Sequence, residues 1–326
     1  MIGIVTLADI QQARARLKGI AVRTPLLEWT GASDQRKLFL KLENLQPIGA
    51  FKLRGAYNKV ASLSDEERSR GVISYSSGYH AQGVAYAARA LGVKAIIVMP
   101  SNAPKNKLEA TEALEAEIVT VGPGSEERRL RAEQLAAEHG YAIVPPYNDE
   151  KIIAGQGTVG LEILEDLPNV ETVLVPVGGG GLISGVSAAI KLSRPASNPQ
   201  VKVIGVEPEV AADAQASLRA GRIVSFPAEQ VSRTLADGLR TQSIGAINFE
   251  HMRAYVDDIV SVTEHEIREA TRALSANAKT VAEPSGAVAV AAFLFHAGEL
   301  PDTKINVAVI SGGNVDPKLL AELSDH

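Results

Sequence analysis

Four consecutive glycines lie between an apolar run and a helical pattern. Residues 173–177 are typical of a buried strand, and residues 186–191 of the beginning of a helix. The glycines at 178–181 lack Cβ atoms, so their backbone can approach a ligand closely. The following helix offers unpaired N–H groups and the positive end of its dipole. This junction predicts an anion site, most often for phosphate, because a plain flexible turn seldom needs four glycines.

Length and composition narrow the class of protein. The chain has 326 residues, enough for two domains of roughly 100–200 residues each. Its net charge of −5 comes from interspersed acidic and basic residues, so we expect no nucleic-acid partner. It has no cysteine, which excludes disulfides and thiolate metal sites. We find neither a signal peptide nor an apolar run of about 18 residues, and therefore expect a cytoplasmic protein without a membrane partner.

Short apolar runs alternate with helical patterns along most of the chain. This alternation predicts an α/β fold in two domains, each a mostly parallel twisted sheet flanked by helices. The units form two groups, around residues 72–145 and around residues 170–316. Residues 38–43 alternate like the end or the edge of a strand. Strand candidates lie at residues 72–75, 95–99, 117–121, 141–144, 173–177, 201–206 and 305–310, with helical patterns near residues 80–91, 104–115 and 125–139.

Two segments in the first third of the chain carry candidate reactive groups. Lys52 lies in a mostly apolar run after a Pro/Gly turn. A lysine in such surroundings can have a lowered pKa and attack a carbonyl, although from this segment alone a surface lysine at a helix start is the favoured interpretation. Ser76, Ser77 and His80 follow the strand at residues 72–75 and open a helix. They suit a carboxylate, and the alternative is an ordinary helix N-cap.

Further polar groups follow strands in the second half of the chain. Residues 311–314 follow the strand at 305–310, and ligands of open α/β sheets bind at such strand ends. Glu283 precedes another helix, and a simple cap or loop is an equally good interpretation of both segments. Glu207 and Asp213 could supply oxygen ligands to Mg²⁺ or Ca²⁺, although solvated acidic residues are commoner.

Taken together, these segments resemble the pyridoxal-phosphate (PLP) enzymes of the tryptophan-synthase-β fold, known as fold type II. They are similar to its branch of serine/threonine dehydratases and serine racemases. The family pattern S/A-F-K-x-R-G-A is matched at residues 50–56, and the G-G-G-G-L phosphate loop at residues 178–182. Segments 154–158 and 236–239 also match, so the resemblance spans nearly the whole chain in the right order. It overturns the surface-lysine interpretation of Lys52.

The resemblance also implies roles for individual residues. Lys52 would form the Schiff base with PLP and then remove the Cα proton of the substrate, while Phe51 would pack against the cofactor ring. Ser311 would bind the pyridine nitrogen. Ser76, Ser77 and His80 would surround the substrate carboxylate, and Ser77 occupies the position of the second acid/base of racemases. The phosphate would be bound by Gly178, Gly179, Gly180, Gly181 and Leu182; Tyr79, Glu283 and Asn314 would border the cofactor; and Glu207, the Ala211 carbonyl and Asp213 would hold a divalent cation.

Position 79 departs from the family. The pattern S-S-G-N-H-x-Q is matched at residues 76–82 except that Tyr79 replaces the asparagine that binds the cofactor's 3′-oxygen. The longer phenol could reach the same oxygen from farther away, stack on a substrate ring or swing aside. We therefore hypothesise that the site accepts a bulkier β-hydroxy amino acid, such as a 3-phenylserine.

The resemblance predicts a PLP-dependent ammonia-lyase that converts threonine, serine or a bulkier relative to a 2-oxo acid and ammonia. Two alternatives remain open, an amino-acid racemase and a non-catalytic protein that binds PLP and amino acids. The implied domains are a large PLP-binding domain at residues 1–64 and 150–326 and a small mobile substrate domain at residues 72–147. The implied assembly is a homodimer. The chain ends soon after the Ser311 segment, so we expect no regulation by isoleucine.

Overall fold

The computed structural model describes residues 3–32, 35–76, 78–103, 105–122, 124–193, 201–278 and 280–324. Its strands form two sheets. The strands are β1 (Leu26–Glu28), β2 (Lys37–Lys41), β3 (Val72–Tyr75), β4 (Ala95–Pro100), β5 (Glu117–Val121), β6 (Ala142–Ile143), β7 (Thr172–Pro176), β8 (Lys202–Pro208), β9 (Asp258–Val262) and β10 (Ile305–Val309). The helices are α1 (Leu7–Leu17), α2 (Lys52–Ala61), α3 (Asp65–Arg70), α4 (Tyr79–Leu91), α5 (Lys105–Glu112), α6 (Ser125–His139), α7 (Glu150–Asp166), α8 (Gly181–Ser193), α9 (Asp213–Ala220), α10 (Ala228–Val231), α11 (Ala246–Tyr255), α12 (Glu264–Asn277), α13 (Pro284–Phe295) and α14 (Pro317–Ser324).

The larger sheet has the strand order β1-β2-β10-β7-β8-β9, and all its pairs are parallel except β1 with β2. Successive side chains of a strand point to opposite faces, so a strand covered on both faces reads as a continuous apolar run. In β7, Val173 and Val175 pack with α8, whereas Leu174 belongs to the cluster that contains α13. Helices therefore cover both faces of this sheet.

The smaller sheet is entirely parallel, in the order β5-β4-β3-β6. One of its faces packs with α4 through Val84 and Ala88, and the other packs with α6 through Ala132 and Leu135. Gly92 and Gly140 end these two helices in the left-handed conformation, which glycine adopts readily.

Three helices of the larger unit approach so closely that their backbones nearly touch. A Cβ on Gly155 of α7 would lie 2.6 Å from the carbonyl oxygen of Arg54 in α2. A Cβ on Gly185 of α8 would lie 2.5 Å from the backbone nitrogen of Gly157 in α7. Helices α2, α7 and α8 thus form a tightly packed block, held by glycines at their contacts.

The predicted α/β class, with parallel sheets flanked by helices, is confirmed. Residues 38–43 were predicted as the end or the edge of a strand; the strand β2 is present, but the edge alternative is wrong, because the three-residue β1 pairs along its outer side. Strands β1 and β9 were not predicted. No helix in the described ranges is long and apolar enough to span a bilayer. The domain boundaries stay a prediction.

Candidate active site

The site lies where two neighbouring strands of the larger sheet end. The glycine loop follows β7 and leads into α8, and Ser311 follows β10, the strand beside β7. Because parallel strands end at the same edge, both turns meet there. Residue Lys52 begins α2 beside them, since Ala50 forms an isolated bridge with Gly312 and the Phe51 N–H donates to the Ser311 carbonyl at 3.1 Å. Three distant segments of the sequence therefore converge at one edge.

The glycine loop presents unused hydrogen-bond donors. Within the described part of the chain, the backbone N–H groups of residues 178–182 donate to no protein acceptor. Gly180 has φ +92°, which other residues rarely adopt, and a Cβ on Gly179 would fall within the ring of Tyr147. The loop is fixed from outside, where the Gly245 N–H donates to the Gly179 carbonyl at 3.2 Å. Such unpaired donors at a helix start suit an anion.

The side chain of Lys52 is partly buried, and its amine is bonded to the backbone. Its Nζ donates to the Pro146 carbonyl at 2.8 Å and lies 5.3 Å from the centre of the Phe51 ring. Burial lowers the pKa of this amine to about 8. At pH 7 about a tenth of this amine is therefore uncharged, far more than of an ordinary lysine, which favours its use as a nucleophile or a base.

His80 is buried and neutral. Burial, together with the nearby charge of Lys52, lowers the pKa of His80 to about 3. Its Nε2 lies 2.9 Å from the Val144 carbonyl, so in the neutral ring this nitrogen carries the proton and donates. The Nδ1 atom is buried and has no partner among the described residues. Ser76 accepts a hydrogen bond from the Gly78 N–H at 3.3 Å, whereas Ser77 lies outside the described residues.

The side chain of Tyr79 crosses to the larger unit. Its phenol donates to Glu283 and accepts from the Asn314 N–H at 2.7 Å. Burial, and then the charge of Asp237, raises the pKa of Glu283 to about 8. Burial, and then the charge of Glu283, raises the pKa of Tyr79. The side chain of Tyr79 is therefore turned toward Glu283 and Asn314.

Ser311 and Leu182 lie on the floor of the site. Both are buried, and the Ser311 hydroxyl donates to the Ser285 carbonyl at 3.3 Å. The amide of Asn314 donates to the Ile48 carbonyl at 3.0 Å, which ties this turn to the segment before Lys52.

A buried ionic network behind Lys52 was not predicted. Arg54 contacts Glu43 at 2.7 Å and Glu162 at 2.7 Å, and Glu162 also contacts Lys41 at 2.6 Å. The exposed fractions of the Arg54 and Glu43 side chains are 1% and 0%. The only signal of this network in the sequence was Arg54 itself, an arginine in an apolar helix start. Its acidic partners could not be recognised, because they lie far apart in the chain. Tyr147, which packs on the glycine loop, was also missed and follows a turn-like segment.

The predicted cation ligands form a separate buried cluster. Glu207 accepts from the N–H groups of Ala214 at 3.0 Å and Gln215 at 2.9 Å. The carboxylate oxygens of Asp213 are buried and accept no close hydrogen bond from the described residues. Burial raises the pKa of Asp213 to about 7, and burial with the Asp213 charge raises that of Glu207. Among the described residues, no three or more acidic, histidine or cysteine side chains are grouped so that they could hold a metal ion, so a cation here would also need backbone or water oxygens.

Comparisons with known proteins agree on one family. Residues 17–312 match the family model described as "Pyridoxal-phosphate dependent enzyme". The chain is 48% identical to the L-threonine ammonia-lyase of Thermotoga maritima, over 97% of this chain and 77% of that protein. It is 41% identical to the L-threo-3-hydroxyaspartate ammonia-lyase of Saccharomyces cerevisiae, over 98% of this chain and 96% of that protein. The structure of maize serine racemase superposes with a TM-score of 0.92 at 37% identity, covering 98% of this chain and 97% of that one.

Proposed function

The chain belongs to the pyridoxal-phosphate-dependent enzymes of the serine/threonine dehydratase and serine racemase family and is an ammonia-lyase of hydroxy amino acids, and we propose that it acts on threonine and serine or a bulkier relative. The observation that carries the assignment of its base is the desolvated amine of Lys52 at the edge of the larger sheet. The products would be a 2-oxo acid and ammonia.

The residues present fit the cofactor. The unpaired N–H groups of residues 178–182 offer several donors to a phosphate, and the α8 dipole favours its charge. Lys52 provides an amine whose lowered pKa suits bonding to an aldehyde. The Ser311 hydroxyl would hold the pyridine nitrogen. Bound there, PLP would supply the electron sink that makes the Cα proton of an amino acid removable.

The protein's own groups would then direct the proton and the leaving group. Lys52 would take the Cα proton, since its pKa of about 8 lies near the working pH of such a base. The Cβ–O bond would break as the hydroxyl takes up a proton, equivalent to the one removed from Cα, and leaves as water. The resulting enamine hydrolyses to the 2-oxo acid and ammonia. Ser76, Ser77 and the N-terminal turn of α4 would hold the substrate carboxylate, and neutral His80 would add no charge beside Lys52.

A cavity beside Tyr79 supports the bulkier substrate. It has a volume of about 260 Å³ and is lined by Tyr79, Gln82, Lys107, Ala110 and Asn314. A cavity of about 150 Å³ accommodates benzene, so a phenyl group fits by volume. This observation motivates the inclusion of 3-phenylserine among the substrates.

Three further features belong to the same proposal. A divalent cation, Mg²⁺ or Ca²⁺, would bind at Glu207, the Ala211 carbonyl and Asp213, where the unpaired oxygens of Asp213 support it. The protein would work in the cytoplasm as a homodimer. Residues 72–147 would move as the small domain against residues 1–64 and 150–326.

The experiment is 2-oxo acid release by PLP-loaded protein from L-threonine, L-serine and L-threo-3-phenylserine, measured together with loss of optical rotation. We expect release from at least one substrate, with Lys52→Ala inactive although it is still folded. A preference for phenylserine that Tyr79→Asn shifts toward threonine would support the bulkier substrate, and an unchanged ranking would refute that part. Loss of optical rotation without 2-oxo acid would indicate a racemase. The absence of both signals would indicate a non-catalytic protein that binds PLP and amino acids.

A further inference from the structure

The phenol of Tyr79 joins the two α/β units across the cleft between them. Tyr79 begins α4, which packs on the smaller sheet. Glu283 is the N-cap of α13 and Asn314 follows β10, so both partners of the phenol belong to the larger unit. The phenol makes one donated and one accepted hydrogen bond to them.

This contact depends on the length of the side chain. An asparagine at the same position is shorter by about the length of a ring and offers an amide in place of a phenol. The tie is therefore a property of the tyrosine in this chain. A second tie crosses the cleft nearby, where Lys107 of α5 contacts Asp237 of the larger unit at 2.5 Å.

The ring also borders the cavity beside the site. Tyr79 lines this cavity, which has a volume of about 260 Å³. Its phenol oxygen would lie 3.2 Å from a Cβ on Gly312, the residue that follows Ser311. Moving α4 away from the larger unit would therefore break the contacts of this phenol.

We propose that Tyr79 is a latch that closes the cleft, and that cofactor and substrate enter or leave only after its phenol releases Glu283 and Asn314. The proposal depends on cofactor binding and not on which reaction the site performs. The need to break the hydrogen bond to Glu283 together with the one to the backbone should slow exchange by roughly ten-fold. Because the latch has to open both for entry and for exit, it changes the association and dissociation rates of the cofactor more than its Kd.

The test measures the rates at which PLP binds to the apoprotein and leaves the holoenzyme. Tyr79→Phe removes both hydrogen bonds and keeps the ring. Tyr86→Phe is the matched control, because Tyr86 lies on the same helix and its phenol has no hydrogen-bond partner among the described residues. We expect Tyr79→Phe to raise both rates by about ten-fold with little change in Kd, and Tyr86→Phe to match the wild type.

The outcomes separate a latch from a direct cofactor contact. A faster dissociation with an unchanged association rate, and hence a weaker Kd, would overturn the latch and make the phenol a cofactor ligand. Unchanged rates in both directions would also overturn it. Hydrogen exchange provides a second readout: the backbone amides of residues 80–84 should exchange faster in apo Tyr79→Phe than in apo Tyr86→Phe, and equal exchange would contradict the proposal.

Discussion

Replacing Arg54 with methionine should destabilise the protein far more than replacing an exposed arginine. Arg54 is bonded to Glu43 and Glu162 with its charge out of water, and Glu162 keeps Lys41 after the change whereas Glu43 loses its cation. Removing one partner of a buried ion pair costs about 3–5 kcal/mol. This is a large part of a typical unfolding free energy of about 5–15 kcal/mol.

Arg23→Met is the matched control, because it removes an arginine whose side chain is 46% exposed and pairs with Glu165 and Asp166. Its expected cost is about 0–1 kcal/mol. Urea denaturation followed by circular dichroism compares the midpoints at pH 7. If Arg54→Met lowered the midpoint no more than Arg23→Met, the inference that the network is strongly desolvated would be refuted.

The same pair of variants carries a pH signature. Burial acts to raise the pKa of Glu43, but the charge and hydrogen bonds of Arg54 outweigh it and hold the pKa below its usual 4.5. A depressed carboxyl pKa stabilises the fold fully above the unfolded value and loses that contribution as the pH falls through the folded value. The advantage of the wild type over Arg54→Met should therefore shrink below about pH 4.5.

Three further predictions concern the loop, the cation cluster and the N-terminal segment. Gly179→Ala should weaken PLP binding at least ten-fold in a fluorescence titration, because the added Cβ meets the Tyr147 ring. Gly178→Ala should weaken it less, because the atom nearest to its added Cβ lies 3.3 Å away. Equal effects of the two variants would contradict this reasoning. Mg²⁺ or Ca²⁺ should raise the Tm of the wild type and not that of Asp213→Asn, and a response retained by the variant would exclude this cluster. His251 accepts a hydrogen bond from the Val5 N–H at 2.9 Å, and burial lowers the pKa of this histidine. Its contribution to stability should therefore be complete above the unfolded pKa of 6.5 and decline as the pH falls toward the folded pKa. His251→Gln should flatten the dependence of Tm on pH between 7 and 5, and an unchanged slope would contradict this role of His251.

The larger features were predictable because they leave local signals in the sequence. A strand covered on both faces, such as residues 173–177, is apolar without interruption. The four glycines after it are seldom explained by a plain turn, so they predict an anion site. The predicted family, cofactor and reaction class are confirmed by the family model and by the ammonia-lyase relatives. The roles of individual residues, the dimer and the cytoplasmic location stay predictions.

What the sequence could not supply depends on contacts between distant residues. Glu43 and Glu162 are separated by more than a hundred positions, and neither has a neighbour in sequence that marks it as a partner of Arg54. The direction of the Tyr79 side chain is set by where Glu283 and Asn314 lie in the fold. The three-residue β1 is too short to show alternation, which is why β2 looked like an edge.

The contacts of Gly155 and Gly185 determine where this site is free to diversify. Helices α2 and α8, which begin at Lys52 and at the glycine loop, are both packed against α7 through positions that leave no room for a side chain. Substitutions at these glycines would displace Lys52 and the glycine loop together. They therefore cannot change the substrate specificity without disturbing the rest of the site. New specificities are instead expected from α4 and α5, whose residues Tyr79, Gln82, Lys107 and Ala110 line the cavity beside the site.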